Sequence, residues 1–235
     1  MIFDFQKGEL LLIDKPLDWT SFDAVNKIRR LVEKKTGSKL KVGHAGTLDP
    51  KATGLLLICT GGMTKQIVNL TGLGKEYTGT FFLGATTPCY DTEKPVDRTF
   101  PIGHITEEMI RSAVAEFTGT IQQVPPQFSA KLIDGKRAYL SARKNREVKL
   151  EPVTVTISEF EITRIALPEV DFRIVCSKGT YIRALARDFG EAVGAGAYLS
   201  SLRRTRIGDY SVDDAISIEQ FAALADYSSS GRLKS

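Results

Sequence analysis

Polar and apolar positions change period several times along the chain, and each change marks an element. Residues 9–14 (ELLLID) form a short apolar block ending at Lys15–Pro16, the pattern of a buried strand. Thr20–Ser21 offers a helix N-cap. Phe22, Val25, Ile28 and Val32 then recur at helical spacing, which predicts an amphipathic helix to about residue 33. Residues 34–41 are basic, contain Gly37 and read as a loop. A second apolar block at residues 55–59 predicts a strand, Gly61–Gly62 a turn, residues 65–70 a short helix and residues 75–84 another strand. Prolines and acids between residues 86 and 103 predict a loop. Thr106 caps a helix over residues 106–117, with Ile110, Val114 and Phe117 inward. Pro125–Pro126 breaks the pattern. Residues 131–149 are basic and turn-rich, with Asp134–Gly135 as a hairpin turn. Val153, Val155 and Ile157 alternate with Thr154, Thr156 and Ser158, and Val170, Phe172, Ile174 and Cys176 alternate likewise, which predicts two half-buried strands. Gly179–Thr180 leads into a helix with Ile182, Leu185, Phe189 and Val193 on one face. A short strand near residues 206–211 and a helix near residues 218–224 follow. The polar tail is expected to be disordered.

These elements intermingle without a regular βαβ rhythm, and neither GxGxxG nor GxxxxGK[ST] occurs. The expected class is α+β, with a mixed or antiparallel sheet. A length of 235 residues at 42% hydrophobic content suits one large domain. No apolar run approaches the roughly 20 residues that span a bilayer. Asp4, Lys7 and Glu9 break any secretory layout, so a cytoplasmic location is expected. Cys59, Cys89 and Cys176 are few and widely spaced, which argues against a disulfide framework and favours buried thiols for Cys59 and Cys176. His44 and His104 stand far apart, so no metal site is expected.

The net charge of +4 matters through its clustering. Lys34, Lys35, Lys39 and Lys41 form one group. Lys136, Arg137, Arg143, Lys144, Arg146 and Lys149 form a second, and Arg203, Arg204 and Arg206 a third. Any one cluster could be a solvated face, but three together favour a polyanionic partner such as a nucleic acid.

One acid stands out against this background. In VGHAGTLDPKATGLLLIC, Asp49 follows Gly43 and Gly46, precedes Pro50 and is backed by an apolar strand. An isolated Asp before Pro is usually a turn residue. Rigid support behind the turn also suits a nucleophile or a carboxylate that meets a transition state. Tyr77 reads either as half-buried core or as a stacking platform with an acid–base hydroxyl. Arg183 reads as a surface ion pair or as the partner that keeps a carboxylate ionised, since an arginine within about 4–6 Å lowers an aspartate pKa by roughly 1–3 units. His44 reads as a structural hydrogen-bonder or as a holder of a phosphate or displaced base.

Taken in order, IDKPLDWTSFD, VGHAGTLDPKATGLLLICTGGMTK, KEYTG, PPQFSAKLIDGKRAY, SKGTYIRALARDFG and LRRTRIG resemble the TruB family of tRNA pseudouridine-55 synthases, over about residues 7–220. The resemblance implies the pseudouridine synthase fold, a central, mostly antiparallel sheet flanked by helices and RNA-binding loops. It implies one catalytic domain over residues 1–225, with a mobile tRNA-binding insertion at about residues 125–150, and a tail at residues 226–235 in place of the small C-terminal RNA-binding (PUA) domain found in many members. Asp49 matches the family's catalytic aspartate, Tyr77 the tyrosine that stacks on the target base, Arg183 the arginine that pairs with the aspartate, and His44 the histidine that takes part in flipping the nucleotide. Further substrate contacts are expected from Lys15, Gly43, Thr47, Lys75, Arg137, Tyr181 and Leu202. Tyr198 stands where the family often has a histidine. The implied activity is isomerisation of uridine 55 in the T stem-loop of tRNA by base flipping, without cofactor or metal, by a monomer that needs no protein partner. The competing readings are a tRNA-folding chaperone and a component of an RNA-guided pseudouridine synthase.

Overall fold

The computed structural model describes residues 3–127 and 150–227, together with the strand residues 132–133 and 136–137. In chain order the first elements are β1 (Leu10–Lys15), α1 (Ser21–Thr36), β2 (Val42–Ala45), β3 (Ala52–Thr60), a 3-10 turn (Gly61–Gln66), α2 (Ile67–Gly72) and β4 (Lys75–Leu83). Then come β5 (Ala85–Thr86), β6 (Arg98–Thr99), α3 (Glu107–Phe117), β7 (Gly119–Gln123), β8 (Leu132–Ile133) and β9 (Lys136–Arg137). The last are β10 (Val153–Ala166), β11 (Glu169–Cys176), α4 (Ile182–Ala192), β12 (Ala197–Ile207), β13 (Tyr210–Ser211) and α5 (Ile218–Tyr227). The class is α+β, and the sheet is mixed and mostly antiparallel, with isolated parallel bridges at Ile13↔Ile216 and Asp91↔Leu199. The chain divides into two compact units. One holds the residues up to Lys75 and those from Arg203 onward, and the other is Glu76–Leu202.

In the first unit, α1 begins with a capping box. The Thr20 hydroxyl accepts from the Asp23 N–H while the Asp23 carboxylate accepts from the Thr20 N–H. Gly37 ends the helix at φ 66° and donates to the Glu33 carbonyl. The helix runs three residues beyond the expected end, and Lys34 and Lys35 sit in its last turn, where the helix dipole favours cations. Its buried stripe is Ser21, Ala24, Val25, Ile28 and Val32. Phe22 does not point inward as expected but is 63% exposed. With the stripe centred on Ser21, the next residue stands about 100° around the helix.

β3 explains its own sequence. It pairs antiparallel with β1, from Leu10↔Cys59 to Lys15↔Gly54, and with β2, from Val42↔Thr60 to Ala45↔Leu57. Leu56 and Ile58 enter a core shared with α1, β1 and α5, and Leu55, Leu57 and Cys59 enter another with Ala45, Leu70 and Ile207. Burial on both faces requires the continuous apolar run, where a one-sided strand would alternate. At Gly54 (φ 99°) an added Cβ would fall 2.3 Å from the Arg204 carbonyl oxygen, so β3 and β12 approach as only glycine permits. Lys15 closes β1 with its side chain wholly buried. Its Nζ donates to the carbonyls of Trp19 (2.6 Å), Pro16 (2.9 Å) and Pro50 (3.5 Å). Burial pushes its pKa down to about 8, opposed by the nearby charges of Asp49 and Asp18 and assisted by that of Arg204.

The second unit has the strand order β12-β4-β11-β10-β7. β11 alternates in and out through all eight residues, as its pattern predicts. β10 starts in phase, with Val155 and Ile157 buried, then a bulge between Ile157 and Glu159 shifts the phase so that Phe160 is the next buried residue. Phe81, Phe160, Phe172 and Phe189 pack together, with Phe81 and Phe172 centroids 4.3 Å apart. Thr106 caps α3 by accepting from the Met109 N–H. Ile110 and Ala113 are the buried residues there, while Val114 and Phe117 are half-buried. The segment read as a loop contains the β5–β6 pair. β12 is far longer than the strand expected near residues 206–211, because its serines and arginines hide its period. β8 and β9 pair with Ile133 opposite Lys136. The expected turn at residues 134–135, most of the expected insertion and the tail from residue 228 lie outside the described residues. All three cysteines are buried free thiols. Among the described residues no helix is long and apolar enough to cross a membrane.

Phe221 is fully buried beside Phe3 and Phe5. Phe221→Ala is expected to cost about 3–5 kcal/mol in urea unfolding, and Phe22→Ala no more than about 0.5 kcal/mol. The folded pKa of Lys15 lies below its unfolded value of 10.5, so the unfolded chain binds more protons between about pH 8 and 10.5. The penalty for burying the ammonium is complete below pH 8 and fades above it. The stability of the wild type relative to Lys15→Met should therefore rise across that window, as read from thermal melts at stepped pH.

Candidate active site

Asp49 lies in the connection between β2 and β3, where no ladder partner serves the backbone. Its neighbours supply partners one by one. The Gly46 carbonyl accepts from Arg204 Nη2 at 3.0 Å and the Thr47 carbonyl from Arg204 Nη1 at 3.5 Å. The Leu48 carbonyl accepts from Ser21 Oγ at 3.0 Å, and the Leu48 N–H donates to the same oxygen at 2.8 Å. The Asp49 carbonyl accepts from the Ala52 N–H at 3.1 Å, and the Pro50 carbonyl from the Asp18 N–H at 2.9 Å and from Lys15 Nζ. Gly46 takes φ 85°, the turn freedom its place in the sequence suggests. Thr47 is exposed, Leu48 is buried and Asp49 is half-buried, so the carboxylate rides on an anchored backbone.

Two buried cations stand behind this loop. Arg204 is 1% exposed and also donates from Nε to the Leu55 carbonyl at 2.8 Å. The charge of Arg204 raises the cost of protonating Lys15 and His44. His44, on β2 opposite Ile58, has a buried Nδ1 without a hydrogen-bond partner among the described residues. Burial, with Arg204 as the second cause, holds its pKa below the usual histidine range, so the imidazole is neutral at pH 7. Gly43 precedes it, where an added Cβ would meet Ile67 Cδ1 at 2.8 Å. Lys75 is buried, and its ammonium closes the end of α2 by donating to the carbonyls of Thr71 and Leu73, both at 2.7 Å.

In the second unit Arg183 occupies the first turn of α4 and is buried. Its Nε lies 3.6 Å from Asp91 Oδ2, with both side chains largely sequestered, and its Nη1 donates to the Cys89 carbonyl at 3.1 Å. The Cys89 thiol in turn donates to Asp91 Oδ1 at 2.9 Å, and burial pushes the thiol pKa up, so it stays protonated. The start of α4 lacks a side-chain cap of its own. Gln123, fully buried at the end of β7, accepts from the Tyr181 N–H at 2.8 Å in its place. Tyr77 is buried on β4, and Leu202 is half-buried on β12.

The structure thus brings Lys15, Thr47 and Asp49 into one hydrogen-bonded region of the first unit, with His44 and Gly43 on the adjoining strand. In the second unit Tyr181 is the N-cap of α4 and Arg183 lies in its first turn. Arg137 lies on β9, and its side chain is outside the described residues, as is most of the second basic cluster. The third cluster does not act as one surface. Arg203 holds Asp14 with two bonds of 3.0 and 2.7 Å while Arg204 faces inward, because neighbouring residues of a strand face opposite ways, and Arg206 is exposed. Sequence reasoning missed Ser21, Asp91, Gln123 and the inward role of Arg204. The Thr20–Ser21 doublet carried a signal, since one hydroxyl suffices for a cap. Asp91 sits among prolines and acids that resemble any solvated loop.

Residues 29–182 match the TruB family pseudouridylate synthase N-terminal domain, and residues 183–233 match the tRNA pseudouridylate synthase B C-terminal domain. The tRNA pseudouridine synthase B of Flavobacterium johnsoniae is 59% identical over 220 residues, which covers 93% of this chain and 96% of the relative. That of Phocaeicola vulgatus is 54% identical over 224 residues, covering 95% of each. Among solved structures, one chain of an archaeal box H/ACA sRNP Nop10–Cbf5 complex superposes with a TM-score of 0.70 at 26% identity; the match covers 97% of this chain and 57% of that one. The chain therefore belongs to the TruB family of pseudouridylate synthases, and it is an isomerase that acts on tRNA.

Proposed function

We propose that the protein converts uridine 55 in the T-loop of tRNA to pseudouridine, with Asp49 as the nucleophile. The observation that carries this reading is the bracing of five consecutive carbonyls, from Gly46 to Pro50, around one half-buried acid. A side chain held this firmly suits a reaction at a single carbon, where a displacement of about 1 Å costs roughly 10²-fold in rate.

The reaction breaks the N1–C1′ bond and joins C5 to C1′. N1 gains a proton and C5 loses one, so the isomerisation is redox-neutral and needs no electron carrier. Asp49 acts at the sugar, as carboxylates do in glycosidases, by attack on C1′ or by stabilising the charge that develops there. Tyr77 serves as the base-stacking platform and as the group that accepts a proton. Stacking of a base on an aromatic ring contributes about 1–3 kcal/mol. It offsets part of the few kcal/mol needed to extrude the uridine. Neutral His44, with an open nitrogen, suits contact with the displaced nucleotide. Arg183 is the cation reserved for a carboxylate, with Asp91 orienting it. A monomer in the cytoplasm, meeting tRNA without a guide RNA or protein partner, completes the reading. The likeness to a subunit of an H/ACA complex keeps the guided reading as the alternative.

The first test is tritium release from an unmodified tRNA transcript labelled at uridine C5, mapped to position 55, with purified protein and chelator. Asp49→Asn should lose at least about 10⁴-fold in turnover while tRNA binding stays near wild type. Turnover by Asp49→Asn would remove it from the nucleophile's role, and release only in the presence of added guide RNA and proteins would favour the guided reading. Asp91→Asn removes the carboxylate that orients Arg183 and should slow single-turnover catalysis by roughly ten- to a hundredfold without weakening tRNA binding.

A further inference from the structure

Leu48 is the residue whose backbone decides where the Asp49 side chain points. It lies between the end of β2 at Ala45 and the start of β3 at Ala52, outside both ladders. One atom serves both of its polar groups, because Ser21 Oγ accepts the Leu48 N–H at 2.8 Å and donates to the Leu48 carbonyl at 3.0 Å. Ser21 is 2% exposed and Leu48 is 3% exposed, so no water replaces either bond. A hydroxyl is the side-chain group of this size that can donate and accept through one atom. The helix does not need it, since Thr20 already caps α1. Two neighbouring hydroxyls have divided the work, Thr20 toward its own helix and Ser21 toward a loop 27 residues away. The other anchors of residues 46–50 hold carbonyls and no N–H. Holding both groups of Leu48 fixes the two torsions on either side of its Cα, and with them the direction in which Asp49 leaves the chain.

We infer that Ser21 is a positioning residue for Asp49, acting through Leu48 from the rigid first turn of α1. The inference rests on the reading of Asp49 as the nucleophile. It adds a residue whose role lies in rate and not in binding, because its hydroxyl is enclosed and cannot reach RNA.

The test uses the full chain and the tritium-release assay in single-turnover and steady-state form, with tRNA binding measured separately. Ser21→Ala should lose about 10- to 100-fold in the single-turnover rate, with KM and tRNA affinity unchanged. Ser21→Thr, which keeps the hydroxyl, should restore most of the rate. Ser21→Cys keeps the volume but bonds weakly, and should fall between; it carries the test if the alanine variant does not stay folded. Thr106→Ala removes a helix cap in the other unit and measures the effect of lowered stability alone. A wild-type rate in Ser21→Ala or Ser21→Cys would overturn the inference, as would a loss shared equally by Thr106→Ala or one appearing wholly in KM. Asp49→Asn, run alongside, separates this outcome from failure of the nucleophile reading, since only the latter leaves that variant active.

Discussion

A backbone carbonyl removed from both water and a sheet ladder must find a donor, and that requirement organises the first unit of this protein. The connection at residues 46–50 carries five consecutive carbonyls outside the ladders of β2 and β3. They are met by a serine on a helix, an arginine on a distant strand, a lysine at the end of another, and two backbone amides. The partners come from elements that are themselves fixed by apolar packing. α1 is held by its Ala24–Val25–Ile28–Val32 stripe, and β3 by cores on both faces. The rigidity of the acid is thus drawn from the core rather than from its own turn.

Placing two cations inside the unit has a cost, because a buried charge without compensation is destabilising. Lys15 shows that cost directly in its lowered pKa. Arg204 spreads its charge over backbone carbonyls, which a planar guanidinium can do from several donors at once. The second unit solves a similar problem differently. Arg183 faces the Asp91 carboxylate, which a protonated thiol steadies from behind.

Much of this was legible in the sequence where period and chemistry agree. β11 alternates without a fault, the α1 cap is written in Thr20–Ser21, and the apolar run at residues 55–59 announces a strand. The setting of Asp49 between glycines and a proline pointed to a fixed acid. What was not legible depends on facing. Arg203 and Arg204 look alike in a basic cluster, yet one holds a half-buried acid and the other the backbone of the loop. Phe22 fits a helical count but stands off the stripe that Ser21 begins. Asp91 gains its meaning only from a contact 92 residues away with Arg183, which no local pattern encodes.

The arginine clamp also sets an order of events in the life of the chain. Arg204 holds Gly46 across 158 residues, whereas the serine clamp spans only 27. Contacts of such separation form after local ones, because the intervening loop must close first. A ribosome that has released the first two hundred residues has therefore made the acid, its turn and the helix beside it, but not the last support beneath them. The support that Arg204 gives the loop therefore waits for residues made 158 positions after Gly46.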